Sequence, residues 1–341
     1  MASYGIELAV STLLSKAGFG HESFQINPLS ASGNNRVFAL HCGNEKMVLK
    51  WYFYDAADTR DRLGAEYSFL EHAWTLGLRC IPKPIAKNES EHLALYEYVT
   101  GQTIDASKVN ENLMQQAADF LAKLNTKNSR ATASMLPKAS EACFSVSEHF
   151  SMIDARLSRL DQMPVLSNVD KEAKEFVKRL EAYWQDAKSR ILIDCQCLGF
   201  NPENVLDTSE RCLSPSDFGF HNALLRPDGQ VCFIDFEYAG WDDPAKAIGD
   251  FFSHPGVKVP HAQFEIFMAK ALEPFDQSLQ MIGRVRALEP ISQIKWCCII
   301  LNEFLPASAK RRSFANPDEN PDERKQRQLN KATQFFESLP N

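Results

Sequence analysis

A β-hairpin is predicted for residues 223–234, where two short apolar runs flank the turn Pro227-Asp228-Gly229. Proline presets one dihedral of such a turn, and glycine accepts the positive φ that other residues resist. If the strands are counted back from this turn, Asn222 and Asp235 lie near one another at its open end, and Asp217 lies on the loop leading in. The hairpin therefore collects an amide and two carboxylates in one region of the fold.

These polar groups have the chemistry of a metal site with an adjacent base. An amide oxygen and a carboxylate suit a hard cation such as Mg²⁺, so Asn222 and Asp235 are candidate metal ligands. Asp217, placed off the metal, is a candidate acceptor for the proton of an attacking hydroxyl. The alternative is structural, because Asp-Gly hairpins are common on protein surfaces and Asp or Asn near strand ends usually caps turns.

Composition narrows the possible classes of protein. The 341 residues are 44% hydrophobic and 24% charged, which allows a substantial core and two domains or lobes. A net charge of −7 gives no basic footprint for nucleic acid. We find no signal-peptide pattern, and the longest apolar stretch (294–301) is too short to span a bilayer. The nine cysteines are scattered and form no CxxC pair. We expect a cytoplasmic protein that neither associates with a membrane nor contains a zinc site. Composition says nothing about its oligomeric state.

The order of predicted elements indicates an α+β fold. A helix over residues 3–17 is followed by an antiparallel meander and a second helix, and the pattern becomes helical beyond Gly101. The predicted strands are Phe24–Pro28, Arg36–His41, Met47–Tyr52 and Leu93–Val99, with Pro82 and Pro84 read as breaks. The later helices are predicted near 57–76, 113–124, 173–184, 261–272, 278–304 and up to 339. We expect a sheet-rich N-terminal lobe (1–100) and a mainly helical C-terminal lobe (101–341).

The N-terminal lobe contains several candidate ligand-binding residues. The small polar loop around Ser32, Gly33 and Asn34 can bring backbone amides to phosphate oxygens, although it lacks GxGxxG and a plain turn is the alternative. Lys50 ends an apolar strand and either snorkels into solvent or, if it points inward, needs an anionic partner. Glu66 lies on the following helix, where carboxylates mostly face water.

Glu97 and Val99 end the last strand before the helical lobe. Their backbone groups are candidates for contact with an adenine edge.

Taken in order, these features resemble the protein-kinase-like small-molecule kinases, specifically the aminoglycoside phosphotransferase/choline kinase family. The segment from Phe233 to Pro244 is similar to the metal-binding segment of that family nearly letter for letter. The stretch from Leu95 to Ile104 looks like its hinge between lobes. The resemblance covers roughly residues 24–255.

The resemblance implies a two-lobed, protein-kinase-like fold and a kinase that uses ATP and Mg²⁺. Its acceptor would be a hydroxyl of a small molecule: a sugar, amino sugar, amino alcohol or aminoglycoside. Asp217 would orient that hydroxyl and take its proton, while Asn222 and Asp235 would hold Mg²⁺. Lys50 would contact the α- and β-phosphates of ATP and pair with Glu66.

The chain also departs from the family pattern. Pro215-Ser216 replaces the usual His-Gly before the aspartate, and His221 is a candidate either to compensate or to contact substrate. Asn125 replaces a common histidine, and Ala247 replaces a common aspartate, with Asp250 as a candidate substitute. These departures keep open the alternative of a catalytically inactive kinase-like binding or scaffold protein. A protein kinase has less support, since no Asp-Phe-Gly followed by Ala-Pro-Glu is recognisable.

The charge of the acceptor is left open by the sequence. Glu237, Asp242 and Asp243 follow the candidate metal site at Asp235 and suit a cationic substrate, but helix capping and Asp-Pro turn chemistry explain them better. The segment Lys310-Arg311-Arg312 could bind an anionic substrate or simply face solvent.

Overall fold

The computed structural model describes residues 2–20, 23–29, 35–54, 60–275, 279–306 and 320–339, with side chains from residue 7 onward. The chain forms two compact units, which are described separately. The first comprises Met1–Ser140, Cys212–Trp241 and Glu265–Phe275, and the second comprises Glu141–Arg211, Asp242–Phe264 and Asp276–Asn341. The lobe boundary at residue 100 stays a prediction.

The first unit begins with a helix and a five-stranded antiparallel sheet. Helix α1 (Ala2–Lys16) precedes strands in the spatial order β1-β2-β3-β5-β4. Strands β1, β2 and β3 are direct neighbours, which confirms the predicted meander. Helix α2 (Arg62–Thr75) connects β3 to β4. The strand bounds are β1 Phe24–Pro28, β2 Arg36–Cys42, β3 Glu45–Trp51, β4 Pro84–Asn88 and β5 Leu93–Glu97.

Strand β4 was not predicted, because its first residue is Pro84. Proline cannot donate to a sheet ladder, and we read it as a break in the pattern. In the structure β4 is an edge strand, and Pro84 is its first residue. A missing N–H costs little at such a position, so the strand forms despite the proline.

A hydrophobic core joins α1 to the sheet. Residues of α1 at three- and four-residue spacing are buried against apolar side chains from four strands. The buried set is Ala9, Val10, Leu13 and Leu14 of α1 with Leu40, Cys42, Met47, Leu49, Ala86, Leu93 and Leu95. This packing covers β3 and β5, which carry the predicted nucleotide-binding residues Lys50 and Glu97.

The predicted hairpin is present in the first unit. Strands β8 (Ala223–Leu225) and β9 (Val231–Phe233) pair antiparallel, with Ala223 opposite Phe233. Gly229 has a φ of +81°, the left-handed conformation that the turn requires. The other elements here are β6 (Gln102–Thr103), α3 (Glu111–Leu124), α4 (Lys127–Thr132), β7 (Cys212–Ser214), most of β10 (Gly240–Asp242) and most of α8 (Phe264–Leu272).

The second unit is helical, as expected for most of the C-terminal region. Its helices are α5 (Val146–Asp161), α6 (Asn168–Leu198), α7 (Pro244–Ser253), α9 (Leu279–Ile300) and α10 (Pro321–Glu337). Helices α7 and α9 approach closely, because a Cβ on Gly249 would lie 2.7 Å from Oγ of Ser292. Among the described helices, none has the length and apolarity needed to cross a membrane. The Lys310-Arg311-Arg312 segment lies outside the described residues.

Candidate active site

Lys50 points inward and binds two carboxylates. It lies near the end of β3, is 6% exposed, and donates from Nζ to Oε2 of Glu66 at 2.6 Å and to Oδ1 of Asp235 at 2.5 Å. The expected ion pair with Glu66 is therefore present, and Lys50 does not snorkel into solvent. One ammonium links the sheet, helix α2 and the residue just beyond the hairpin.

The local charges keep this lysine protonated. Burial lowers the pKa of Lys50, but the negative charges of Glu66, Asp235 and Glu237 more than reverse the effect, so the net pKa is raised. Burial also raises the pKa of Glu66, while Lys50 opposes that rise. Lys50 is therefore a buried cation surrounded by carboxylates.

Two buried tyrosines support Glu66. The hydroxyl of Tyr52 donates to Oε2 of Glu66 at 2.7 Å, and the hydroxyls of Tyr52 and Tyr96 lie 2.7 Å apart. Because Tyr52 gives its only hydroxyl proton to Glu66, Tyr96 is the donor to Tyr52. Sequence reasoning missed both residues. The available signal was the position of Tyr52, two residues after Lys50 and therefore on the same side of an extended chain.

The loop before Asp217 is held by Asn125. Its side-chain amide donates to the carbonyl of Leu213 at 2.9 Å and accepts from the amide of Leu213 at 2.7 Å, all buried. The asparagine that departs from the family pattern therefore anchors β7. Ser216 has a φ of +66°, a conformation that favours glycine, and its amide donates to Oγ of Ser214 at 3.0 Å. Ser216 thus adopts a glycine-like backbone where the family has glycine.

Asp217 is bound on both carboxylate oxygens. Nε2 of His221 lies 3.2 Å from Oδ1, and Nδ2 of Asn222 donates to Oδ2 at 3.3 Å and to the Asp217 carbonyl at 3.0 Å. The Asp217 side chain remains 32% exposed. It can therefore contact a ligand.

The hairpin continues one pair beyond its regular strands, where the candidate metal ligands lie. The amide of Ile234 donates to the carbonyl of Asn222 at 2.9 Å, which brings Asn222 to the segment that carries Asp235. Because Nδ2 of Asn222 is bonded to Asp217, its Oδ1 is the side-chain atom suited to a metal. Asp235 is 31% exposed and has a φ of +67°. This oxygen-only donor pair fits Mg²⁺.

A cluster of aromatic rings packs beside Asp217 and Asp235. Phe218 follows Asp217, and its ring centroid lies 4.9 Å from that of Phe233. Phe120 of α3 contacts both rings, at 5.6 Å and 5.0 Å, and also reaches Phe236 at 6.3 Å. The residues that follow the two candidate aspartates, Phe218 and Phe236, are thus packed into one core.

The acidic residues that follow the candidate metal ligand Asp235 have structural partners. Glu237 is buried, accepts a hydrogen bond from Nδ2 of Asn35, and lies 3.8 Å from Nε of Arg62. In the second unit, Asp243 accepts from the amide of Ala245 at 2.8 Å, which confirms helix capping. Asp242 pairs with Lys246 at 2.5 Å, and Asp250 pairs with Lys295. The role of Asp250 in supporting the catalytic loop stays a prediction.

The other predicted nucleotide contacts are the loop Ser32, Gly33 and Asn34 and the backbone of Glu97 and Val99. Ser32, Gly33 and Asn34 lie outside the described residues. The amide of Glu97 donates to the carbonyl of Lys83 at 2.9 Å and is therefore already bonded. Val99 lies just beyond β5 and is half-buried. The Glu97 carbonyl and the Val99 backbone stay predicted contacts.

A family model described as phosphotransferase enzyme family matches residues 25–264. No curated protein matches. A choline/ethanolamine kinase family protein from Mesorhizobium loti has a TM-score of 0.60 at 16% identity, with 98% of this chain and 95% of that chain covered.

Two further solved structures are similar over most of both chains. A spectinomycin phosphotransferase with ADP and spectinomycin has a TM-score of 0.56 at 12% identity, with coverage of 92% and 93%. An aminoglycoside phosphotransferase in a ternary complex with streptomycin and ATP has a TM-score of 0.51 at 14% identity, with coverage of 97% for each chain. These likenesses show the fold and confirm the predicted protein-kinase-like class.

Proposed function

The chain belongs to the phosphotransferase enzyme family, and from this premise we propose that it transfers the γ-phosphate of ATP to a hydroxyl of a small molecule. The observation that carries the proposal is the placement of Lys50 between Glu66 and Asp235. This arrangement holds a positive charge beside a candidate metal ligand. Phosphoryl transfer depends mainly on positioning and charge neutralisation, which such an arrangement provides.

Lys50 is assigned to the α- and β-phosphates of ATP. Its raised pKa keeps it cationic, and Glu66 with Tyr52 limits the positions that its ammonium can take. A cation held in this way neutralises phosphate charge without having to reorganise when the nucleotide binds.

Asn222 and Asp235 are assigned to Mg²⁺, which they fit as an oxygen-only pair. When bound, Mg²⁺ neutralises charge on the phosphate oxygens of the nucleotide. The protein contributes the hairpin geometry, with Asn222 oriented through its bond to Asp217.

Asp217 is assigned as the base that accepts the proton of the acceptor hydroxyl. It is partly exposed, and its carboxylate is already oriented by neighbouring donors. We propose an amino alcohol, sugar, amino sugar or aminoglycoside as the acceptor class. Solved structures with this fold are named as choline/ethanolamine kinase family and spectinomycin phosphotransferase proteins, which supports that range.

Two measurements test the proposal. The first is thermal stabilisation by ATP with and without Mg²⁺, for the wild type, K50M and the exposed control K16M. We expect Mg²⁺-dependent stabilisation of the wild type and K16M, and its loss in K50M. The second is ATP consumption across a panel of small alcohols, sugars and aminoglycosides. Stabilisation without turnover would favour the inactive binding protein. The absence of both stabilisation and turnover would contradict the nucleotide site.

A further inference from the structure

We propose that His221 is a positioning residue that orients the carboxylate of Asp217. The inference rests on the proposed function, because it concerns the residue assigned there as the base. The family places a histidine two residues before this aspartate, where the present chain has Pro215. In the structure a histidine reaches the aspartate from the opposite direction along the chain, four residues after it.

The geometry places a side-chain nitrogen beside each carboxylate oxygen of Asp217. Nε2 of His221 lies 3.2 Å from Oδ1, and Nδ2 of Asn222 lies 3.3 Å from Oδ2. The final torsion of an aspartate side chain is otherwise broad and roughly two-fold. Two donors on opposite oxygens restrict that torsion, so the base presents one orientation to an incoming hydroxyl.

The backbone around Gly219 makes room for this contact. A 3-10 turn over Phe220–Asn222 follows Gly219, and the amide of Asn222 donates to the Gly219 carbonyl at 3.1 Å. A Cβ on Gly219 would lie 2.7 Å from Nδ1 and 2.9 Å from Cε1 of the His221 ring. A side chain at position 219 would therefore displace the His221 ring, whereas the φ of Gly219, 168°, is ordinary extended backbone.

The atom that makes the contact allows a sharp substitution test. A glutamine side chain places its amide nitrogen near the position of Nε2, whereas an asparagine places it near that of Nδ1. If Nε2–H is the donor, H221Q retains the bond to Asp217 and H221N does not. A residue needed only for bulk would show no such difference.

Kinetics with Mg-ATP and the best acceptor from the panel test the inference. We expect H221A and H221N to lower kcat by about 10- to 100-fold, part of what a positioned base supplies, with little change in KM for ATP. H221Q should recover most of that loss. In the D217N background, H221A should have no further effect, because His221 acts through Asp217. The inference would be overturned by an unchanged kcat in H221A or by equal rescue of kcat in H221Q and H221N. A further loss of kcat when H221A is added to D217N would also overturn it.

A measurement without turnover separates this inference from the proposed function. In ¹⁵N-histidine NMR of the full chain, with H221Q used for assignment, we expect the wild-type resonance of a protonated Nε2 and a marked change of that resonance in D217A. An identical His221 signal in the wild type and D217A would overturn the contact whether or not the protein is a kinase. If the contact is confirmed but the wild type neither binds Mg-ATP nor turns it over, the proposed function fails instead.

Discussion

The ammonium of Lys50 and Oδ1 of Asp235 lie 2.5 Å apart, although 185 residues separate them in the chain. Lys50 also binds Glu66, so its charge is shared between two carboxylates. Lys50 and Glu66 are almost fully buried, whereas Asp235 is about one-third exposed. A buried carboxylate such as Glu66 has no water to replace a lost cation. Removal of Lys50 should therefore lower the stability of the protein, in addition to its effect on nucleotide binding.

Substitution of Lys50 should separate these two consequences. K50M leaves Glu66 buried without its cation, so we expect a loss of about 3–5 kcal/mol in the free energy of unfolding, measured by denaturant titration. K50M/E66Q removes the orphaned charge and should recover much of that stability. Neither variant should bind Mg-ATP. Equal stability of K50M and the wild type would contradict the buried ion pair.

Ser216 carries backbone strain that glycine would relieve. Its φ of +66° lies in the left-handed region, which costs an ordinary residue roughly 1–2 kcal/mol. After the greater chain entropy of unfolded glycine is subtracted, S216G should be more stable by about 0.5–1 kcal/mol. The matched control S11G, in helix α1, should be less stable by a similar amount. Thermal unfolding of both variants checks this, and destabilisation by S216G would exclude the strain.

Much of the fold could be predicted from sequence because its signals are local. The turn at Pro227-Asp228-Gly229 and the spacing of apolar residues in α1 and α3 indicate structure without any long-range information. Strand β4 was missed because Pro84 breaks a ladder only when it is not at an edge, and edge position is a property of the whole sheet.

The site was predictable only in part, for a similar reason. Lys50, Glu66 and Asp235 were identified from their order and the family resemblance. The hydrogen bond between Asn35 and Glu237 joins residues 202 positions apart, and nothing near either residue indicates it. His221 and Asp217 are close in sequence, but their contact depends on the turn at Gly219, which periodicity does not show.

The free energy of unfolding at acidic pH should depend on the ionisation of Asp243. Burial raises the pKa of this carboxyl, but the Arg284 guanidinium and the His149 hydrogen bond more than reverse the effect, so its pKa lies well below the usual range. A depressed pKa stabilises the folded state at pH values above about 4, and this contribution is lost as the pH falls further. We expect D243N, which retains a capping side chain, to show a flatter fall in unfolding free energy below about pH 4 than the wild type.

The exposed control D186N should retain the wild-type dependence on pH. Denaturant titrations at several acidic pH values measure the slopes. A slope in D243N as steep as that of the wild type would show that other carboxylates account for acid unfolding.

The most direct test of the central claim is transfer of labelled phosphate from [γ-³²P]ATP to the panel's best acceptor by the wild type, D217N and D228N. D228N alters an exposed aspartate in the turn of the same hairpin. The account predicts that D217N loses about 10²- to 10⁴-fold in kcat while retaining thermal stabilisation by Mg-ATP, and that D228N matches the wild type. Undiminished transfer by D217N would contradict the assignment of Asp217 as the base.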